Sequence, residues 1–307
     1  MCKIFVMPSI TSETRDNAWK LIYKMADKMS VHPNNDGLGY AALSEDGNLF
    51  GERWHTNRDA FEVRETISKT HKKRFEKMKG FLISPSKGAK YNSFGKLELD
   101  KLAAITLHTR LATSGKEFEN THPFVDGFTS LIHNGVIRNV DELELKQSTC
   151  DSETILNEYV KHDVMNKPEN MQIVANKLQG YYACGVFSRM KDVPILDIFK
   201  SDTANLYSGF VKELDTFVFT TMYGDLEEAC RFLGFTLEGF YKVESGVLIR
   251  LNPFTGEVIN TQEFEDKYIT KKEESGISNL EYVDHGDWTY HRKSNTWFRK
   301  NRHIHSA

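Results

Sequence analysis

The chain has 307 residues, 39% of them hydrophobic and 12% aromatic, which is material for one large domain or two smaller ones. A net charge of −3 and a pI near 6.4 exclude a nucleic-acid or membrane surface spread over the whole chain. The four cysteines, Cys2, Cys150, Cys184 and Cys230, form no CxxC pair, which points to a reducing compartment and not to a disulfide framework.

The apolar run at the start is too short for a signal peptide. No stretch approaches the roughly 20 apolar residues of a membrane span. The expectation is a soluble, cytoplasmic protein without membrane contact.

Residues 2–7, CKIFVM, alternate and then meet Pro8, which predicts a short strand. Cys2 is then either a casual small thiol or a group with a purpose. Residues 12–29 carry Trp19, Leu21, Ile22, Met25 and Met29 at helical spacing, with Ser12 available as N-cap. Those methionines read as core. HPNNDGLGYAAL, 32–43, is a turn feeding a strand, and SEDG, 44–47, turns into a second strand, NLFGERW.

Residues 57–80 are charged and helical in pattern, and the run reads as a solvated face and not as a nucleic-acid patch. SPSKGAKYNSFGKL, 84–97, reads as a long connection, of a length used for lids.

AAITLHT, 103–109, is a β run that delivers His108, Thr109 and Arg110; FTSLIH, 128–133, is another, ending in Asn134-Gly135. Asn-Gly after a strand is ordinarily a type I′ turn. Residues 151–165 begin a helix that Asp151 or Ser152 can cap, with Glu153 and Glu158 on it, and a second helix covers 168–179. Strands follow at 181–190, 193–202, 206–211 and 215–221, then a short helix at 225–234. YKVESGVLIRLNP and GEVINTQEF close as a hairpin.

The tail from 266 loses its apolar period. From Trp288 onward it has five Lys/Arg and no acid. Tails of this kind are commonly solvated. Trp288, Tyr290, Trp297 and Phe298 among basic residues also suit docking on an acidic or phosphate-bearing partner, including nucleotide or nucleic-acid stacking. His291, His303 and His305 could suggest a metal, but the chemistry read below needs none, and no metal is predicted. The element order is α+β, with two sheets packed face to face and helices outside.

A cysteine at a processed N-terminus offers a nucleophile together with an α-amino base of reference pKa about 7.7–8.0. Asn134 and Gly135 offer a side-chain and a backbone N–H for an oxyanion. Arg110, with the Thr113 hydroxyl, suits a carboxylate, and Asp151 suits an ammonium.

Met1-Cys2, NDGLGYA (35–41), HTRLATSG (108–115), NTHPF (120–124), IHNGVIRN (132–139), CDSE (150–153), LQGYYA (178–183) and LYSG (206–209) stand in order along the chain. Over residues 2–260 this resembles a class II glutamine amidotransferase domain of the N-terminal-nucleophile hydrolase superfamily. The resemblance implies a four-layer αββα sandwich over 2–265, with 266–307 as a separate tail. It implies that Cys2 attacks the glutamine side-chain amide, forming a thioester and releasing ammonia. Asn134 and Gly135 would hold the oxyanion, Arg110 and Thr113 the carboxylate, and Asp151 the amino group. His122 and His108 would support the site.

No cofactor is implied. Leu111 stands where several relatives have an aromatic residue, and Ser114 where some have histidine. In the family a long acceptor domain follows; here about forty residues remain, too few for one, so the implied partner is a separate synthase or acceptor protein. Two alternatives stand beside this: cleavage of another amide or γ-glutamyl conjugate without ammonia transfer, and a catalytically silent binding domain.

Overall fold

The computed structural model describes residues 2–30, 36–55, 101–111, 118–143 and 148–265, and the backbone of 282–285, 288–291 and 296–299. The charged stretch 57–80, the connection 84–97 and Thr113 lie outside the described residues.

Two antiparallel sheets make the interior. The first contains β1 (Lys3–Met7), β2 (Gly37–Ser44), β3 (Leu49–His55), β4 (Leu102–Arg110), β9 (Tyr207–Val211), β10 (Thr216–Thr220) and β11 (Leu237–Lys242), in the order β11-β9-β10-β1-β4-β2-β3. The second contains β5 (Phe124–Asp126), β6 (Thr129–Ile137), β7 (Gly180–Met190), β8 (Val193–Lys200), β12 (Val247–Leu251) and β13 (Val258–Glu263), in the order β13-β12-β8-β7-β6-β5.

Strand alternation sorts the apolar residues into three layers. Ile4 and Val6 of β1 turn inward to meet Ile132, Ala183, Phe187 and Ile198 of the second sheet. Phe5 and Met7 turn outward under α1 (Arg15–Met29) and α4 (Tyr223–Leu233). Leu131, Tyr182, Val186 and Phe199 lie under α2 (Ser152–Lys161) and α3 (Met171–Lys177). The result is the expected four-layer αββα sandwich.

Helix α1 is held by its buried stripe, Ala18, Leu21, Ile22, Met25, Ala26 and Met29. Each fully buried Leu, Ile or Met is worth about 1.5–3 kcal/mol. Helix propensities among ordinary residues differ by at most about 0.7 kcal/mol, so burial decides. Its N-cap is Thr14 and not Ser12; Thr14 makes no side-chain cap bond, and its hydroxyl instead accepts from the Thr11 N–H at 3.1 Å. Helix α4 ends at Gly234, in the left-handed region at φ 72°, where the Phe235 N–H returns to the Cys230 carbonyl at 2.8 Å.

Two predicted elements differ. YKVESGVLIRLNP does not form one strand: β11 ends at Lys242 and pairs with β9 in the first sheet, whereas β12 begins at Val247 and pairs with β8 and β13 in the second. The expected closing hairpin is therefore β12–β13 alone. In the tail, β14 (Tyr282–His285), β15 (Trp288–His291) and β16 (Thr296–Arg299) form a three-stranded antiparallel sheet that the loss of apolar period did not suggest.

Candidate active site

Three strands turn polar at one end of the inter-sheet layer. On β1 the inward positions run Val6, Ile4 and then Cys2. On β4 the residues sharing Ala104's inward side are Thr106, His108 and Arg110. On β6 they run from Ile132 to Asn134. Pairing of Lys3 with Thr109 sets Cys2 alongside Arg110 and Leu111.

The Cys2 thiol, partly buried, lies 3.7 Å from the Leu111 carbonyl. Burial pushes this thiol up, against the pull of the Leu111 backbone, the positive chain terminus and Arg110, while Asp151 adds to the upward push. Cys2 thus feels both the guanidinium and the carboxylate predicted for an amino-acid head group. Arg110 is buried, at 4% exposure.

Strand β6 runs straight through Asn134-Gly135 to Ile137, so this pair is not a turn: Asn134 faces Ala183 and Gly135 faces Tyr182 on β7. Glycine is required here by space. A Cβ at Gly135 would sit 1.9 Å from the Tyr181 carbonyl oxygen. Gly180 is required reciprocally, its Cβ falling 2.0 Å from the Val136 oxygen.

Asp151 occupies the N-cap of α2, yet its carboxylate makes no cap bond. Its Oδ2 instead accepts from the Ile137 N–H at 2.7 Å, which ties the helix start to the end of β6. Ser152, next in the chain, meets His133 Nδ1 at 2.8 Å. The Cys150 thiol, 3.6 Å from Asp151 Oδ1, is pushed up to about 12 by burial and then by Asp151, so it is no rival nucleophile.

Three imidazoles lie behind the strands. His108 Nε2 is 3.1 Å from the His133 carbonyl oxygen. His122 stacks on His108 with ring centroids 3.8 Å apart and meets the edge of Phe124. It precedes Pro123 across a cis peptide. Burial holds all three below the ordinary histidine range, His108 at about 3. They are neutral near neutral pH. The loop before His122 is held by Arg53, whose Nη1 donates to the Thr121 carbonyl at 2.7 Å.

The predicted residues Cys2, Arg110, Asn134, Gly135, Asp151, His108 and His122 therefore share one end of the fold. His133, which the sequence places in the same short span as Arg110 and Asn134, joins them, as do Ser152 and Gly180, for which no site role was predicted although each stands in a motif already noted. Arg53 carried no sequence signal. Among the described residues, no group of three or more His, Cys, Asp or Glu is arranged to hold a metal, and no helix is long and apolar enough to cross a membrane. A cavity of about 620 Å³ bounded by Thr129, Val160 and Arg189 lies at the opposite end of β6 and β7, away from this cluster.

No family model matches the chain. It is similar to the glutamine–fructose-6-phosphate aminotransferase (isomerizing) of Acinetobacter baylyi, 33% identical over 90 residues, which are 26% of this chain and 15% of that protein. It is similar to the same enzyme of Aliivibrio fischeri, 36% identical over 93 residues, or 27% and 15% of the two chains. Among solved structures, the glutamine phosphoribosylpyrophosphate amidotransferase from B. subtilis, complexed with ADP and GMP, superposes with a TM-score of 0.54 at 14% identity, over 86% of this chain and 49% of that one. A structure described as the allosteric regulatory enzyme of purine biosynthesis gives a TM-score of 0.56 at 15% identity with the same coverage. The chain thus spans about half the length of these solved chains, and the matched stretch is a smaller part of the curated relatives.

Proposed function

We propose that this chain, which has the fold of the class II glutamine amidotransferase domain in the N-terminal-nucleophile hydrolase superfamily, hydrolyses the side-chain amide of glutamine and supplies the ammonia to an acceptor. The observation that carries this function is geometric: the β1–β4 register sets Cys2 beside Arg110, and Asp151 is tied to the end of β6, the strand that carries Asn134 and Gly135. A free α-amino acid needs one cation for its carboxylate and one anion for its ammonium. An amide substrate without that head group would use neither.

In the proposed reaction Met1 is removed, and the freed α-amine of Cys2 takes the thiol proton. The sulfur adds to the amide carbon, and the oxygen gathers negative charge. The Asn134 side-chain amide and the Gly135 N–H donate to that oxygen, each donor being worth about 2.7–4 kcal/mol in the transition state. Collapse breaks the C–N bond, and the departing nitrogen leaves as ammonia with the proton from the α-ammonium. Water then adds to the thioester carbon under the same amine, releasing glutamate and restoring the thiol. Arg110, with the Thr113 hydroxyl, binds the glutamine carboxylate, and Asp151 binds its amino group. His122 packs behind the site. None of these steps calls on a cofactor. We take the acceptor to be a separate synthase or acceptor protein, which co-purification with the full chain tests.

Glutamate release from glutamine, assayed on protein whose intact mass lacks Met1, tests the reaction. Cys2→Ala is expected to abolish turnover with the fold intact, and unchanged turnover sinks the assignment. Arg110→Ala is expected to raise KM by the loss of about 2–5 kcal/mol of charged pairing; an unchanged KM points to a substrate without the amino-acid head group.

A further inference from the structure

We propose that His108 is a positioning residue for this amidohydrolysis, a neutral strut that sets the oxyanion donors of one sheet against the carboxylate-binding strand of the other. The inference rests on the function proposed above and deepens it.

Strands β4 and β6 belong to different sheets, so no backbone ladder fixes their spacing. His108 bridges them, its Nε2 lying 3.1 Å from the His133 carbonyl oxygen. A carbonyl only accepts, so Nε2 carries the proton and Nδ1 does not. That carbonyl belongs to the peptide unit joining His133 to Asn134. The unit is planar, so holding its oxygen fixes the nitrogen and Cα from which the Asn134 side chain springs. On the other strand, His108 and Arg110 are two residues apart and share a face. A single side-chain bond therefore sets Asn134 against Arg110.

The environment suits a strut that never charges. His108 is fully buried, and Arg110 and His133 both oppose a positive imidazole there. Its flat ring is backed by the stacked ring of His122 at 3.8 Å. His133 is held from its other side by Ser152. The carbonyl that His108 grips thus lies on a residue whose side chain is already anchored, and its position is set from both sheets.

Two variants separate positioning from plain packing. His108→Gln keeps an amide N–H near the place of Nε2, and His108→Leu keeps bulk but no donor. With glutamine as substrate, His108→Leu is expected to lower kcat about 100-fold or more, the scale of losing one oxyanion donor, with KM within about threefold. His108→Gln is expected to recover at least a tenfold part of that loss while melting no higher than His108→Leu. Equal kcat in the two variants, or an effect confined to KM, overturns the proposal.

An independent readout needs no turnover. The ¹⁵N spectrum of the His108 imidazole, identified by its loss in His108→Gln, is expected to report a neutral ring protonated on Nε2 at neutral pH. A ring protonated on Nδ1, or a charged ring, overturns the strut whatever the enzyme does. A wild-type protein with the expected ring but no glutamine hydrolysis instead overturns the assigned reaction, and the catalytic role of the strut falls with it.

Discussion

Acidification should destabilise this fold well before its carboxylates titrate. His108, His122 and His133 are buried and held below their ordinary value, His108 at about 3. In the unfolded chain each takes up a proton as pH falls through about 6.5. In the native state none does over the upper part of that range. The unfolded state therefore binds more protons below about pH 6.5, and native stability, fully present above that value, falls as pH falls. Between about pH 7 and about pH 5.5 the His108 imidazole alone costs about 1.2 kcal/mol, and His122 and His133 act in the same direction. Against a typical stability of about 5–15 kcal/mol, the His108 contribution by itself is measurable. Ordinary carboxylates stay ionised in both states over this window, so they do not mask the effect. Urea unfolding at the two pH values measures it. His108→Gln removes one of the three titrations and should reduce the pH-dependent loss by about 1.2 kcal/mol, whatever it does to stability at pH 7. A wild-type loss under about 1 kcal/mol, or an equal loss in the variant, refutes the neutral buried imidazoles.

The buried pair Asp197–Arg250 gives a second test. The guanidinium donates to both carboxylate oxygens at 2.8 and 2.7 Å and to the Val164 carbonyl at 2.9 Å, with Tyr159 donating to Asp197 at 2.5 Å. Arg250→Met leaves a buried carboxylate without its cation, keeping only the Tyr159 hydroxyl, and should cost about 3–5 kcal/mol in urea unfolding. The double variant Asp197→Leu/Arg250→Met should recover part of that, and a double variant no more stable than Arg250→Met counts against the pairing. Gly135→Ala sets a Cβ 1.9 Å from the Tyr181 oxygen, so β6 must shift. It should destabilise by about 1–3 kcal/mol and lower kcat for glutamine at least about 100-fold; wild-type kcat would remove Gly135 from the oxyanion site.

The layering was legible because the strands and helices along the chain outnumber what one open sheet can cover, and β1, β4 and β6, buried on both faces, need a layer on each side. Other features were set by neighbours that no local pattern contains. Asn134-Gly135 has the composition of a hairpin turn, yet the glycine is there because Tyr181 of the next strand presses against it. Asp151 stands where a cap belongs, but the Ile137 N–H from β6 claims its oxygen. Gly246, at φ 69°, lets the chain leave one sheet for the other between β11 and β12. The apolar residues on either side read as one continuous strand. Cys2 was legible only through the company of distant motifs, since a single thiol near a chain start has no signature.

The same alternation that builds the core also builds the site, and this couples the two. Close approach of the sheets depends on small residues in the inner layer, Ala41, Ala104 and Ala183, and on Gly185, where a Cβ would lie 3.0 Å from Val6 Cγ2. Cys2 and Arg110 ride on one sheet; Asn134, Gly135 and the Asp151 anchor ride on the other. Nothing in either sheet alone sets the thiol relative to Asn134 and Gly135, the donors proposed for the oxyanion. Inner-layer volume therefore sets that gap, and added bulk far from the polar end acts on chemistry as well as on stability. A Cβ at Gly185 meets Val6 first, at 3.0 Å, and Ile132 next, at 3.4 Å. Val6 stands on the strand that follows Cys2, and Ile132 stands two residues before Asn134, so the displacement is passed to both halves of the site.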